Sequence, residues 1–167
     1  MGDYYGFTLD GNNLFLDAEG FVLRNTGKSF CLAWALDWHL RVFVESNAII
    51  TAPNIEQARS VIWKYLDGVC ADMDMIYPWM RNQFIKETKR YYAAPCKDSW
   101  YVLPKTTSKE RPENMAGQHN INLMFVCDEA SGIDDAIHGV MRGALTEARN
   151  RYVMSSQPTR PVGHFAE

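Results

Sequence analysis

The sequence predicts a single α/β domain in which a mainly parallel sheet is sandwiched by helices. Apolar runs of strand length alternate with longer segments whose apolar residues recur at helical spacing. This alternation is typical of parallel strands joined by crossover helices, which cover both faces of the sheet. With 167 residues and 47% hydrophobic content, the chain can build one substantial core. We therefore expect one globular unit over residues 1–167.

The first half of the chain predicts a strand, a loop, a helix, a strand and a second helix. Residues 20–24 form a short β-rich segment, and residues 29–44 are apolar on nearly every side, as in a helix that is buried on most sides. The next strand is expected at Asn47–Thr51, because the proline that follows cannot extend a ladder. A second helix is expected over residues 54–69, with Asn54 as its N-cap.

The second half continues the same alternation. Four apolar residues within 71–95 indicate a further amphipathic helix, and they are Trp79, Met80, Phe84 and Ile85. The remaining elements expected are a strand at 99–103, a long polar loop at 104–120, a strand at 121–127, a helix from Ser131 to about 147 and a strand at 152–156.

Two segments carry the residue types of a nucleotide-hydrolysing site. A phosphate-binding loop needs a strand that stops abruptly, backbone N–H groups, a lysine for the phosphates and a hydroxyl for Mg²⁺. Residues of this kind follow the first strand, namely Asn25, Thr26, Gly27, Lys28 and Ser29. Asp128 and Glu129 end a buried apolar run, where one carboxylate can serve the metal and the other the attacking water. The full loop pattern would have glycine where this chain has Val22, so an ordinary turn before a helix remains an alternative.

Other composition signals exclude some classes of protein. No stretch approaches the roughly twenty apolar residues of a membrane span, and no metal-ligand spacing relates the four histidines. The four cysteines are widely spaced in apolar surroundings and are expected to be free, buried thiols: Cys31, Cys70, Cys96 and Cys127. The first residues lack the basic region of a signal peptide, which predicts a cytoplasmic protein.

The charge distribution raises the question of nucleic-acid binding. The net charge of −3 does not predict a nucleic-acid partner, yet residues 81–111 are locally basic. Lys86, Lys89 and Arg90 stand close together in this segment and are candidates for contact with a phosphate backbone. A solvated face without a ligand is the alternative interpretation of the same charges.

The order of these motifs resembles that of the large terminase subunits of tailed phages. The loop at 23–29, with Arg24 near its start, resembles their deviant phosphate-binding loop. Similar segments follow in the family's order at 49–59, 114–119, 125–133 and 155–160. The resemblance covers about residues 20–165.

The resemblance implies a Mg²⁺-dependent ATPase with an additional-strand, RecA-like P-loop architecture, which drives DNA into a preformed capsid. Lys28 would hold the β- and γ-phosphates of ATP, and Ser29 and Asp128 would hold the Mg²⁺. Glu129 would activate the attacking water, and Arg24 would touch the γ-phosphate. The segment that would couple hydrolysis to movement comprises Ser155, Ser156 and Gln157. A role for His119 in the site and a structural role are both open.

The resemblance also implies partners and a location. These are double-stranded DNA, a portal protein, a small terminase subunit and a homo-oligomeric ring on the portal, in the cytoplasm of the bacterial host. The short segment before the loop leads us to expect a domain truncated at its N-terminus, and no nuclease domain is expected after it. Two rival functions remain: a helicase-like P-loop ATPase, and a non-catalytic remnant that binds portal or DNA.

Overall fold

A six-stranded sheet lies at the centre of the computed structural model, which describes residues 14–16, 22–24, 27–106, 111–157 and 162–164. The helices are α1 (Gly27–Val42), α2 (Ile55–Ile76) and α3 (Asp135–Ala144). The strands in chain order are β1 (Leu14–Leu16), β2 (Val22–Arg24), β3 (Asn47–Thr51), β4 (Phe84–Lys86), β5 (Tyr91–Ala93), β6 (Tyr101–Pro104), β7 (Leu123–Asp128) and β8 (Arg151–Ser155).

The sheet is mainly parallel, and this part of the predicted fold class is confirmed. Its strand order is β4-β5-β6-β3-β7-β8. The strands β6, β3, β7 and β8 run parallel to one another, whereas β4 and β5 form an antiparallel hairpin at one edge, with β5 also antiparallel to β6. The two central strands β3 and β7 are buried along their whole length, which explains why their sequences are apolar on both faces.

Each face of the sheet packs against helices. Because successive strand residues point to opposite faces, Ile50 packs with α1 and α2 while its neighbour Ile49 packs with α3. Leu36 of α1 and Leu66 of α2 belong to the first core, and Met141 of α3 belongs to the second. Because β6, β3, β7 and β8 run parallel, the loops that leave their carboxyl ends meet at one edge of the sheet.

The prediction of a helix within residues 71–95 is wrong. The helix α2 instead continues to Ile76, and a 3-10 turn at Pro78–Met80 leads into the β4–β5 hairpin. The pairing of Phe84 with Ala93 shows why the prediction failed, because aromatic residues suit a strand as well as a helix. The positive φ of Asn82, 60°, breaks any helical continuation.

Two other elements differ from expectation. The strand before the loop, β2, pairs antiparallel with β1 in a separate two-stranded sheet and not with the parallel strands. The helix expected to start at Ser131 begins at Asp135, because Asp134 is the N-cap and accepts a hydrogen bond from the Ala136 N–H. Ser131 lies in the preceding 3-10 turn, Ala130–Gly132.

The burial of α1 and of the cysteines is less complete than predicted. One stripe along α1 is exposed: Phe30, Trp34, Trp38 and Val42. Cys127 is buried, but Cys70 and Cys96 are half-buried and Cys31 is exposed, so the prediction of buried thiols holds only for Cys127. In the described part of the chain, none of the helices has the length and apolar character needed to cross a membrane.

Candidate nucleotide site

A cavity of about 370 Å³ opens where the first turn of α1 meets the carboxyl ends of β7 and β8. The side chains and backbone that line it come from three chain segments: Lys28, Ser29, Asp128, Glu129, Ser131, Gly132, Ser156 and Gln157. A smaller cavity of about 90 Å³ is also lined by Ser29, Asp128 and Glu129 and extends toward Asn54. The two motifs identified about a hundred residues apart in sequence therefore face one shared space.

The start of α1 contributes a positive end to this cavity. Lys28 and Ser29 lie in its first turn, which contains no acidic side chain. Backbone N–H groups at a helix start have no partner within the helix and carry partial positive charge, so they attract phosphate groups. Lys28 is exposed and Ser29 is half-buried, so both can reach a ligand.

The end of β7 contributes two carboxylates in different settings. Asp128 is the last residue of the strand, pairs in register with Ser155 of β8 and is only 8% exposed. Glu129 is exposed and adopts a left-handed backbone conformation with a φ of 51°. Its N–H donates a hydrogen bond of 3.1 Å to Oδ1 of Asp128. A left-handed glutamate is uncommon and strained, which favours a local functional constraint on this turn.

The surroundings of Asp128 shift its protonation equilibrium. Burial raises the pKa of the Asp128 carboxyl above its usual value, and the neighbouring Glu129 charge acts in the same direction. The hydrogen bond from the Glu129 N–H and the positive charge of Lys28 lower this pKa and partly offset the increase. The carboxylate of Asp128 is therefore under-compensated within the protein and would gain from a nearby cation.

The end of β8 is bound to the turn that follows β7. Oγ of Ser156 accepts a hydrogen bond of 3.0 Å from the Ser131 N–H, and the two serine hydroxyls lie 2.6 Å apart. Ser156 also donates to the backbone carbonyl of Gln157 at 3.2 Å. These hydrogen bonds link the segment after β8 directly to the turn after β7.

A close approach at Gly132 joins the loop after β3 to the same turn. A Cβ atom built on Gly132 would lie 2.7 Å from Cγ of Pro53, closer than real Cβ atoms come to a neighbouring carbon. Glycine is therefore required for this contact. The contact brings the segment around Asn54 to the edge of the site.

Residues predicted from the sequence are distributed unevenly around this site. Lys28, Ser29, Asp128, Glu129, Ser156 and Gln157 line the larger cavity. Gly27 is the first residue of α1, and Ser155 pairs with Asp128 within the sheet. Arg24 ends β2, but its side chain lies outside the described part of the structure, as do Asn25 and Thr26. His119 is exposed and does not line either cavity.

The candidate DNA-binding residues lie elsewhere, on and beside the β4–β5 hairpin. Lys86 pairs with Asp67 of α2, and Arg90 pairs with Asp98 at 2.9 Å. Lys89 is exposed in the hairpin turn. Together with Arg59 and Trp63 of α2, Lys86 and Lys89 line an open groove of about 1000 Å³. The basic segment therefore forms a surface, although two of its three candidate cations already have acidic partners.

The site fits a metal that is held by few protein groups. Among the described residues, no cluster of three or more His, Cys, Asp or Glu side chains could hold a metal ion by itself. Mg²⁺ is bound in nucleotide sites by one or two protein oxygens together with water and the substrate phosphates. The Ser29 hydroxyl and the Asp128 carboxylate, which line the same cavity, match that requirement.

The motif segment 125–133 contains Ser131 and Gly132 but gives neither residue a role in the site, and no sequence motif identifies His138 as part of this region. The pattern around Ser131 predicts a helix cap. Nothing in the local sequence of Gly132 indicates its contact with Pro53. His138 contacts the carbonyl of Ala130 from α3, a relation that becomes visible only once the helix is placed.

The fold and the cavity define a P-loop NTPase architecture. No protein-family model matches the chain. The chain is 33% identical over 142 residues, 85% of its length, to a probable terminase large subunit of Enterobacteria phage P7, and spans 29% of that relative.

Solved structures agree with this relationship. The large terminase of a thermophilic bacteriophage matches with a TM-score of 0.62 at 10% identity, over 85% of this chain and 34% of that one. The same thermophilic phage's large terminase in complex with ADP gives 0.61 at 11% identity, over 85% and 33%. The ATPase domain of the Thermus phage P74-26 large terminase matches with a TM-score of 0.57 at 16% identity, over 81% and 57% of the two chains. The predicted resemblance to the large terminase subunits of phages is therefore confirmed.

Proposed function

We propose that this chain is the ATP-binding and ATP-hydrolysing domain of a terminase-like DNA-packaging motor. The observation that carries the proposal is the single cavity in which Lys28 and Ser29 face Asp128 and Glu129. The thermophilic phage's large terminase in complex with ADP has the same fold, which supports a nucleotide as the ligand of this cavity.

The residues divide the work of phosphate transfer between binding and chemistry. Lys28 and the N–H groups at the start of α1 would neutralise and orient the β- and γ-phosphates. Ser29 and Asp128 would hold Mg²⁺, which supplies charge stabilisation for the phosphate oxygens when bound. Arg24 would add a positive charge near the γ-phosphate, as the terminase resemblance implies.

Glu129 would act on the attacking water. Its carboxylate is exposed at the cavity, next to the buried Asp128. The water oxygen would attack the γ-phosphorus while a Glu129 oxygen takes the water proton, and the bond to the bridging oxygen of ADP would break. ADP and phosphate are the products, and the proton then leaves Glu129 to solvent.

The coupling segment is proposed to sense this change. The hydroxyls of Ser156 and Ser131 bind one another at the edge of the cavity, and Gln157 lines it. Loss of the γ-phosphate would alter the contacts of Ser156 and Gln157, and β8 would pass the change to the rest of the sheet. In a complete motor, this change would act on double-stranded DNA. The motor would also contain the portal, the small terminase subunit and further copies of the chain in a ring, and it would work in the host cytoplasm.

The test is ATP hydrolysis by the purified chain, measured with and without Mg²⁺. The proposal expects phosphate release that requires Mg²⁺ and that disappears in Lys28→Ala. Nucleotide binding without turnover in the unmutated chain would support the non-catalytic alternative. The absence of both nucleotide binding and ATP hydrolysis would reject the proposed function for this chain.

A further inference from the structure

Behind the candidate carboxylates, a buried histidine joins three elements. His138 lies on α3 and is 1% exposed. Its Nε2 is 3.1 Å from the carbonyl oxygen of Ala130, and its Nδ1 contacts the hydroxyl of Tyr152 on β8. The nucleotide mechanism described above uses neither His138 nor Tyr152. A buried, fully hydrogen-bonded histidine directly behind the site therefore calls for a role.

The chemistry of the partners fixes the direction of these hydrogen bonds. A carbonyl oxygen only accepts, so Nε2 of His138 carries the hydrogen and donates it to Ala130. Burial lowers the pKa of His138, which favours the neutral ring with an unprotonated Nδ1. Nδ1 therefore accepts a hydrogen bond from the Tyr152 hydroxyl. The tyrosine oxygen in turn lies 3.7 Å from Sγ of Cys127, whose thiol can donate to it.

These contacts enclose the carboxylate turn from both sides. The chain of contacts begins at Cys127 on β7, passes through Tyr152 and His138, and returns to the main chain at Ala130. Asp128 and Glu129 are the two residues between these end points. The Ala130 carbonyl also accepts the Ile133 N–H at 3.0 Å, and the Glu129 carbonyl accepts the Gly132 N–H at 2.8 Å. The contacts therefore fix the turn in which Glu129 has its strained backbone conformation.

We propose that His138 is a positioning residue that holds the Asp128–Glu129 turn in register with β8, so that the Glu129 carboxylate is held at the cavity. This inference rests on the proposed function, because it gives Glu129 the role of base. Its physical content is that the reactive group is oriented by the shell behind it. The histidine acts through the Ala130 carbonyl and does not touch the substrate.

The experiment compares four variants of the full chain. His138→Ala removes both hydrogen bonds, His138→Gln keeps a donor that can reach the Ala130 carbonyl, and Tyr152→Phe removes only the hydroxyl. Val140→Ala is the matched control, because Val140 packs in the same core as a partly buried residue of α3. The measurements are kcat, KM and ATP affinity, together with hydrogen–deuterium exchange of the segment 128–133.

The expected result is a loss confined to the chemical step. His138→Ala should lower kcat on the order of ten- to a hundredfold while ATP affinity stays within about twofold, since misplacement of a reacting group costs rate. His138→Gln should recover most of this loss, and Tyr152→Phe should cause a smaller one. Exchange at the Gly132 and Ile133 amides should accelerate in His138→Ala and stay unchanged in Val140→Ala.

Several outcomes would overturn the inference. Equal effects of His138→Ala and Val140→Ala on kcat and exchange would show a merely structural role. A His138→Gln variant with a kcat as low as that of His138→Ala would show that the hydrogen bond to Ala130 does not position the turn. If His138→Ala does not fold, His138→Gln and Tyr152→Phe decide the question. If the unmutated chain has no turnover, the proposed function fails, and exchange at residues 128–133 alone decides whether His138 positions the turn.

Discussion

The charged residues of the candidate nucleotide cavity and those of the β4–β5 hairpin differ in whether they form ion pairs. In the described part of the chain, Lys28, Asp128 and Glu129 take part in no ion pair, although all three line one cavity. On the hairpin, Lys86 and Arg90 each pair with a carboxylate, and Glu87 of the hairpin turn pairs with Lys97. Charges that converge on a space without pairing are available to a ligand, whereas paired charges are already satisfied.

The two regions are also held in place by different contacts. The hairpin is held by a buried network in which the Tyr91 hydroxyl donates to Asp37 at 3.2 Å and the Arg41 guanidinium donates to the same carboxylate at 2.7 Å. Arg41 also lies over the Phe84 ring, 5.3 Å from its centroid. These contacts stabilise a fixed surface. Buried contacts of His138 and Tyr152 also hold the turn beside the cavity, but the cavity is bounded by three chain segments and includes Glu129, whose strained backbone is typical of a functional site.

The largest effect is expected from Glu129→Gln, which tests the cavity half of the comparison. The amide cannot take a proton from water, so turnover should fall on the order of a hundredfold or more while ATP binding persists. Phosphate release and a binding isotherm measure the two quantities separately. Glu45→Gln is the matched control, because Glu45 is also an exposed glutamate with a positive φ, 55°. Undiminished hydrolysis in Glu129→Gln would assign the base to another residue.

The second effect concerns Lys28 and phosphate binding. Mg²⁺–ATP at a hundred times its dissociation constant should stabilise the unmutated chain by about 2.7 kcal/mol, because ligand binds only the folded state. This stabilisation is measured as an increase in melting temperature on addition of Mg²⁺–ATP. Lys28→Ala should remove most of that increase. Lys64→Ala, which removes an exposed lysine from α2, should keep it. An equal shift in both variants would exclude the start of α1 as the phosphate site.

The sequence predicts those parts of the fold whose pattern has one physical interpretation. The runs at β3 and β7 are buried on both faces, so an apolar run of that length predicts a central parallel strand. The segment around Trp79 and Phe84 is ambiguous, because aromatic side chains pack equally well on a helix or on a pleated strand. Only the pairing with β5 decides between them.

The site is predictable to a similar extent. Lys28, Ser29, Asp128 and Glu129 belong to local motifs, and the cavity brings these motifs together. The contact of Gly132 with Pro53 and the position of His138 depend on packing between distant segments, which no local pattern records. The partners of the hairpin cations escape prediction for the same reason, since Asp67 lies on α2 outside the basic segment.

A third prediction tests whether the turn at the cavity requires its close packing. Gly132→Ala would force its new methyl group against the Pro53 ring and should cost about 1–3 kcal/mol of stability. Gly139→Ala is the matched control, because a Cβ at this exposed position of α3 meets nothing within 4 Å. It should stabilise the protein by roughly 0.5–1 kcal/mol, since alanine favours a helix interior. Denaturant unfolding of the two variants measures both changes in the free energy of unfolding. If both variants are stabilised, or both destabilised, the Pro53 contact does not require glycine at position 132.

The smallest effect is expected on the hairpin, where the comparison predicts weak and uneven contact with DNA. Duplex binding by this chain alone should be independent of base sequence and should fall steeply with salt, because only backbone phosphates are contacted. Reversal of Lys86, Lys89 and Arg90 together to Glu should weaken that binding and leave ATP binding unchanged.

The single variants distinguish a paired cation from an exposed one. Lys89 is exposed and, among the described residues, forms no ion pair, whereas Lys86 is bound to Asp67. Lys89→Ala should therefore reduce the salt slope by about one, and Lys86→Ala should change it less, because Lys86 must first leave its carboxylate. The loss of the exposed Lys86–Asp67 pair should alter stability by no more than about 1 kcal/mol. Salt titrations of duplex binding measure the slopes. If Lys86→Ala and Lys89→Ala reduce them equally, ion pairing within the hairpin does not control access to phosphate. If even the triple reversal has no effect, the hairpin is a solvated face and DNA contact must come from other surfaces.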